Sequence, residues 1–183
     1  GPRVKGKRPD LLAKSKSTKT LGIAGWLIAI VIIASIISPS FLRVNNLINL
    51  IRMISINGII AIGMTFVVLT GGVDLSVGSI VGVVAVSSAM LLQNGISIFF
   101  TVIIALAIGA ILGLINGLGV TKGGLAPFIM TLGTQMALAG ISLYMANGSP
   151  QSWRKTGIDF KFLGQGSIFG IPIPVYLYLA VFV

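Results

Sequence analysis

The chain has 183 residues, of which 55% are hydrophobic and only 9% are charged, and its mean hydropathy is +1.05. Ordinary soluble domains carry about 25% charged residues, so this composition excludes a soluble globular domain and indicates an integral membrane protein. The sequence has no His and no Cys, which excludes disulfides, thiolate nucleophiles and Cys/His metal sites.

The acidic residues argue against catalysis. They are Asp10, Asp74 and Asp159, which lie far apart in sequence, whereas acid/base catalysis by carboxylates needs a pair and general bases are most often His. The sequence also lacks the G-x-x-x-x-G-K-[ST] pattern that cradles nucleotide phosphates. We therefore expect no enzymatic activity, no cofactor and no metal on this chain, and any ATP hydrolysis on a separate subunit.

The first twenty residues form a basic segment, which holds seven of the thirteen Lys and Arg residues and a single Asp directly before an apolar run. The positive-inside rule predicts that such a segment is cytoplasmic, where it also attracts anionic headgroups. Nucleic acid is an alternative partner for a net charge of +10, but no aromatic or Gly-rich recognition pattern interleaves the charges, so we expect none. A cleaved signal peptide is disfavoured, because no small-residue cleavage site follows Ile37.

The apolar runs predict an all-α, polytopic transmembrane helical bundle, since a spanning helix needs about 20 mostly apolar residues. In chain order, five complete spans are predicted over 21–37, 46–70, 71–93, 96–120 and 127–146, and a sixth begins at Pro172. Alternation from a cytoplasmic N-terminus places the polar, Gly-rich stretch 147–170 outside. The sixth run stops at Val183 after too few residues to cross, so we expect a truncated part of a larger protein.

The junction of the second and third runs carries the one carboxylate inside the hydrophobic body, Asp74, directly after Gly71, Gly72 and Val73. An ionisable group near the bilayer centre costs about 2.5–3.5 kcal/mol on insertion scales, so it normally faces protein or water and often marks a substrate pathway. Adjacent glycines permit a broken helix where the backbone lines a cavity. Alternatively, Asp74 is an N-cap that accepts from the backbone N–H of Ser76 or Val77. Both roles are compatible.

Polar residues on the fifth span offer a second set of candidates. Thr131, Thr134, Gln135 and Ser142 fall broadly on one helical face, because positions three and four apart are neighbours. They either bond a polyol or bond neighbouring helices, and Asn116 on the fourth span is interpreted as an interhelical amide. The predicted substrate pathway consists of Thr70, Gly71, Gly72, Asp74, Ser76, Thr131, Thr134 and Gln135.

Small residues recur on two of the predicted spans. Such faces let helices approach closely, either inside one multi-helix domain or between two copies. The glycines predicted to pack helices in this way are Gly78 and Gly82 on the third span and Gly109, Gly113 and Gly117 on the fourth.

Several motifs resemble the N-terminal half of permease subunits from ribose-type bacterial ABC importers, which transport sugars and autoinducer-2. The most specific is the string G-G-V-D-L-S-V-G-S over 71–79, and the similarity covers about residues 41–176. Further matching segments are 57–65, 69–70, 116–117, 127–134, 147–150 and 169–174.

The resemblance implies a multi-pass subunit of the bacterial inner membrane with no catalysis of its own. Its partners would be a second permease copy, a cytoplasmic ATPase and an extracytoplasmic binding protein that delivers a pentose, hexose or related polyol. In these terms residues 1–20 are a cytoplasmic tail, and 21–183 are the N-terminal part of one transmembrane permease domain. The ATPase-docking loop is expected beyond residue 183, so this part alone should not transport.

Two rival functions stay open at this stage. Branched-chain amino acid permeases belong to the same broad superfamily, and composition does not separate them from sugar permeases. A small self-assembling pore or membrane assembly factor is the alternative of another class, with the small-residue faces as subunit contacts.

Overall fold

In the computed structural model, the described residues are 9–152 and 161–183, with side chains from residue 22 onward. Parts of two sequence predictions lie outside them: residues 1–8 of the basic tail and residues 153–160 of the polar stretch. The chain divides into two units, Gly1–Leu50 and Ile51–Val183, and helix α2 has residues in both.

The described residues are mostly helical, as their apolar patterning predicts. The elements in chain order are α1 Pro9–Ile37, α2 Val44–Leu69, α3 Val77–Gln93, α4 Ile98–Thr121, α5 Pro127–Met145, α6 Lys161–Gln165, β1 Ser167–Ile168, β2 Ile171–Pro172 and α7 Ile173–Phe182. The two strands form one short antiparallel hairpin. The prediction of a helical fold is therefore confirmed.

In the described part of the chain, three helices are long and apolar enough to cross a membrane, namely α2, α4 and α5. The apolar part of α1, Gly22–Ile37, and the helices α3 and α7 are shorter. The expected number of five complete spans goes beyond this finding and stays a prediction.

The first unit contains α1 and the first residues of α2. Helix α1 starts at Pro9, earlier than the predicted span, because no helix-breaking residue separates the basic segment from the apolar run. It ends before Pro39, which cannot continue a helix. The Asn46 side chain then donates to the Phe41 carbonyl oxygen at 2.8 Å, which ties the first turn of α2 to the connecting loop.

In the second unit, α3 packs mainly against α5 and α4. The buried apolar side chains of this core include Val83, Ala89 and Leu92 from α3 and Leu138 from α5. Helix α3 has only 17 residues, or about 25 Å at 1.5 Å per residue, which is shorter than a hydrocarbon core of about 30 Å.

The predicted helix-packing glycines lie mostly in open space. A Cβ atom at Gly82 would lie 3.8 Å from Ser142 Oγ, whereas one at Gly78, Gly109, Gly113 or Gly117 would meet no atom within 4 Å. The close approaches occur at other glycines: a Cβ at Gly119 would lie 2.6 Å from Met130 Sδ. The role of these glycines in helix packing stays a prediction.

Candidate functional site

The break between α2 and α3 comprises Gly71–Ser76. Helix α2 ends with backbone bonds from the N–H of Gly71 to Val68 O and from the N–H of Gly72 to Val67 O. Gly71 has φ +77°, a left-handed conformation that glycine adopts without steric cost. The chain then runs without helical structure until Val77. The adjacent glycines thus produce the predicted break, and α3 begins later than the predicted span.

The Asp74 side chain is held by Ser76. Its Oδ1 atom accepts from the backbone N–H of Ser76 at 2.8 Å and from the Ser76 hydroxyl at 2.6 Å. Ser76, not Asp74, occupies the N-cap position of α3. Asp74 therefore accepts from the Ser76 N–H, as the cap interpretation allowed. However, Asp74 lies two residues before the N-cap residue and is not the N-cap itself.

A buried relay continues from Ser76 across two further helices. Asn116 of α4 donates from Nδ2 to Ser76 Oγ at 2.7 Å, and Thr134 of α5 donates to Asn116 Oδ1 at 2.6 Å. Ser76 is fully buried and Asn116 is 5% exposed. We call the four residues Asp74, Ser76, Asn116 and Thr134 the relay. Its donors all point toward the carboxylate, an arrangement in which successive hydrogen bonds polarise and strengthen one another.

A further hydroxyl ties the break to α5. Thr131 is 4% exposed, and its Oγ1 lies 2.8 Å from Pro127 O and 3.2 Å from Val73 O. Val73 belongs to the break, where no helical hydrogen bonds satisfy the backbone carbonyl groups. The Thr131 hydroxyl therefore offers a donor to the Val73 carbonyl oxygen. The break is consequently bonded to both α4 and α5.

A cleft of about 260 Å³ lies beside the break. Ligand pockets typically measure about 300–1,000 Å³, so the cleft is of a size for a small solute. It is lined by Val67, Thr70, Gly72, Val73, Asp74, Gly113, Asn116, Gly117, Val120, Thr121, Pro127 and Thr131.

The eight predicted pathway residues separate into three groups. Four of them line the cleft, namely Thr70, Gly72, Asp74 and Thr131. Ser76 and Thr134 lie behind it in the relay. Neither Gly71 nor Gln135 lines the cleft, and among the described residues Gln135 makes no hydrogen bond to the relay.

The interpretation of Asn116 as an interhelical amide is confirmed by its bonds to Ser76 and Thr134, but sequence reasoning did not place this residue in the cleft, whose wall it also lines. Sequence reasoning also assigned Gly113 and Gly117 to helix packing, whereas both line the cleft wall. The signal was present in their spacing, because residues 113, 116 and 117 share one face of a helix.

The chemistry of the cleft is that of hydrogen bonding. Asp74 is partly buried, and within the described part of the chain its contacts are the two bonds from Ser76 to Oδ1, so Oδ2 is available to a donor in the cleft. The Thr70 hydroxyl donates to Val67 O at 2.7 Å and keeps its own acceptor capacity. In the same part of the chain, no group of three acidic, His or Cys side chains could hold a metal ion.

A second polar cluster lies at the other end of α3, about 25 Å away by helix length. Gln93, the last residue of α3, donates from Nε2 to Ser152 O at 3.0 Å and to Gln151 Oε1 at 3.3 Å. Gln151 and Ser152 belong to the stretch 147–170 that is predicted to lie outside. They therefore lie at the end of α3 that is opposite the break.

Comparison with known proteins adds a family and a set of relatives. A family model described as "Branched-chain amino acid transport system / permease component" matches residues 46–181. The ribose import permease protein of Bacillus subtilis is 45% identical over 157 residues, which cover 86% of this chain and 49% of the relative. No solved structure matches the chain.

Relatives with other names are also similar. The D-allose transport system permease protein of Escherichia coli is 36% identical, over 84% of this chain and 47% of the relative. The autoinducer 2 import system permease protein of Salmonella paratyphi A is 33% identical, over 87% and 49%. The chain thus spans about half the length of the curated relatives it matches.

Proposed function

We propose, from the premise that this chain belongs to the family of branched-chain amino acid transport system permease components, that it is a transmembrane permease subunit of an ABC importer. The solute is a sugar or related polyol, and it crosses the bacterial inner membrane by alternating access. The relatives' names favour this cargo over branched-chain amino acids, because they specify ribose, D-allose and autoinducer 2.

The observation that carries this proposal is the position of Asp74 in the cleft wall. A polyol offers many hydroxyl donors, and Asp74 Oδ2 is an acceptor that the Ser76 bonds leave open. The Thr70 and Thr131 hydroxyls lie in the same wall. Mostly apolar walls with a few fixed polar or charged groups are typical of small-molecule sites.

The short length of α3 supports a pathway at the break. A helix of about 25 Å leaves part of a 30 Å hydrocarbon core to be crossed by Gly71–Ser76. Irregular backbone at such depth is tolerated where protein buries it or where it lines a water-filled cavity. In this arrangement α1, α3 and α7 join α2, α4 and α5 in the membrane, and the N-terminus is cytoplasmic.

The partners follow from the same proposal. A separate cytoplasmic ATPase supplies the energy, since the sequence has no P-loop pattern. An extracytoplasmic binding protein delivers the solute to the side of 147–170, and a second permease copy completes the pathway. No cofactor binds to this chain, and its charge serves orientation in the lipid membrane rather than nucleic acid binding.

Uptake into vesicles tests the proposal. The full-length protein is reconstituted with its ATPase and binding protein, and accumulation of radiolabelled D-ribose is measured with and without ATP. Asp74→Asn keeps the shape of the side chain and removes its charge. Uptake should fall at least about ten-fold, because a hydrogen bond to a charged group contributes about 1.5–3 kcal/mol.

Thr65→Val is the matched control for the threonines in the cleft. Thr65 is exposed and donates only within its own helix, to Ala61 O at 2.8 Å, so its loss should leave uptake unchanged. Normal uptake by properly inserted Asp74→Asn protein would remove Asp74 from the pathway. Uptake of L-leucine instead of D-ribose would favour the branched-chain cargo, and flux without ATPase or ATP would favour a self-assembled pore.

A further inference from the structure

The hairpin before α7 has an unusual tip. Its two-residue turn is Phe169-Gly170, between the cross-strand pair of Ile168 and Ile171. Both turn residues have positive φ, +52° for Phe169 and +80° for Gly170. Asn, Asp and Gly are the residues favoured in such turns, and a bulky aromatic residue there is a conformational outlier.

Nothing in the described part of the chain covers this aromatic side chain, since Phe169 is 97% exposed. Ile168 and Ile171 are a directly paired set, and cross-strand partners lie on the same face of a hairpin. Both are also exposed. We call these three exposed apolar side chains, which are adjacent in the hairpin, the apolar tip.

The opposite face of the hairpin is fixed to the rest of the unit. Pro172, on the other cross-strand pair, is buried, and the Tyr176 hydroxyl donates to Ile168 O at 3.0 Å. The Ile173 N–H donates to Gly166 O at 3.0 Å. These bonds fix the backbone beneath the apolar tip, so the tip is a fixed surface and not part of a flexible loop.

Two independent distances place the tip at the level where α2 becomes apolar. Arg52 donates from Nη2 to Gln165 O at 3.1 Å, and no charged residue follows it in α2. Lower down, α2 and α7 approach closely, because a Cβ at Gly58 would lie 2.5 Å from the Tyr178 ring. Along the helix axes, Arg52 lies about 9 Å before Gly58 in α2, and the start of α7 lies about 7.5 Å before Tyr178. Arg52 and the start of α7 are therefore at a similar level.

We propose that the apolar tip, residues 168–171, is an anchor that inserts into the lipid headgroup and acyl boundary. Aromatic side chains concentrate at this boundary, and an Arg at the same level keeps its charge in the headgroup region. The contact explains why Phe occupies a turn position that favours Gly or Asn. The proposal does not depend on which solute is transported.

The 183 residues contain no Cys, and any Cys elsewhere in the full-length protein is first replaced by Ser, so that a single introduced thiol reports on one position. The full-length protein carrying Phe169→Cys is labelled with a nitroxide and reconstituted in phosphatidylcholine–phosphatidylglycerol vesicles. Collisions with oxygen, which concentrates in lipid, are compared with collisions with a water-soluble nickel chelate. Leu106→Cys, on α4 and 70% exposed, is the lipid reference, and Ser149→Cys, at the exposed turn after α5, is the water reference.

The expected oxygen-to-nickel ratio at position 169 is several-fold above that at position 149 and approaches that at position 106. A ratio equal to that at position 149 would overturn the proposal. So would a label that faces water until the binding protein is added, since the tip would then be a protein-docking surface.

A second variant retains an aromatic ring and guards against distortion of the turn by the label. Phe169→Trp is combined with Trp26→Phe and Trp153→Phe, which removes the two tryptophans of the 183 residues, and any Trp elsewhere in the full-length protein is replaced by Phe. Brominated lipids should quench its fluorescence, with emission shifted to the blue relative to the free amino acid. Emission at the wavelength of water-exposed Trp, without quenching, would contradict the anchor.

Discussion

The break before α3 and the hairpin before α7 solve opposite problems. At the break, the buried polar side chains of Ser76 and Asn116 have hydrogen-bond partners on other elements, since Asn116 lies between Ser76 and Thr134. At the hairpin, apolar groups are left exposed while the backbone beneath them is bonded to α7 through Tyr176. Burial and exposure are reversed relative to a water-soluble protein.

The difference shows where each end obtains its stability. Buried polar groups depend on directed partners, so the loss of one partner costs the desolvation free energy of the other. Exposed apolar groups depend on the surrounding medium, so their contribution changes with the lipid or detergent. Substitutions at the break should therefore affect stability in any medium.

The largest effect is expected for Asn116→Leu. This change removes the donor to Ser76 and the acceptor for Thr134 together, while keeping a similar side-chain volume. Loss of a buried hydrogen-bond network should cost about 2–4 kcal/mol. Thermal unfolding in detergent should show a lower midpoint, and D-ribose uptake should be lost. An unchanged midpoint would mean that the relay does not stabilise the break.

Gly58→Ala tests the attachment of α7 to α2. The added methyl group would lie 2.5 Å from Tyr178 Cε2, whereas one at Gly63 would meet no atom within 4 Å. Overpacking should cost about 1–3 kcal/mol, seen as a lower unfolding midpoint, and Gly63→Ala is the control. Adding Tyr178→Leu should recover part of the loss, and a failure to recover it would place the damage elsewhere.

Thr134→Val and Thr134→Ser form a matched pair. Valine has nearly the same shape but leaves Asn116 Oδ1 without its donor, so we expect a loss of about 1–2 kcal/mol. Serine retains the hydroxyl and should restore both stability and uptake. A larger loss with serine than with valine would show that the methyl group of Thr134 matters more than its hydrogen bond.

Gly78→Ala should have the smallest effect on this unit. Gly78 lies in the first turn of α3, and a Cβ there meets no atom within 4 Å. Replacing Gly by Ala in a helix stabilises it by about 0.5–1 kcal/mol, measurable as a slightly higher unfolding midpoint. If the variant instead failed to associate with its second copy in a cross-linking assay, Gly78 would be a contact of that interface.

The sequence was informative where composition singles out a residue. Asp74 is the one carboxylate inside the apolar body, and its neighbouring glycines predicted the break that the structure shows. The helices follow the apolar runs, although α1 begins at Pro9 rather than at residue 21 and α3 begins at Val77 rather than at residue 71. Such features depend on local chemistry, which a single sequence contains.

Contacts between distant segments were not predictable in this way. Ser76 and Asn116 are 40 residues apart, and their bond depends on how α3 and α4 cross. Spacing suggested Gly117 as a packing position, whereas the close approach to α5 occurs at Gly119. The hairpin escaped notice because Phe169-Gly170 lacks the Asn-Gly or Asp-Gly pair that usually marks such turns.

The left-handed conformation of Phe169 reverses the usual ranking of substitutions at that position. Glycine or asparagine adopts the backbone conformation of position 169 more easily than phenylalanine does. Selection for stability in a detergent that contacts the tip poorly should therefore replace Phe169 by a residue without an aromatic ring. Engineering this protein for purification would then favour molecules that hold the membrane less firmly. Screens performed in lipid nanodiscs should retain phenylalanine.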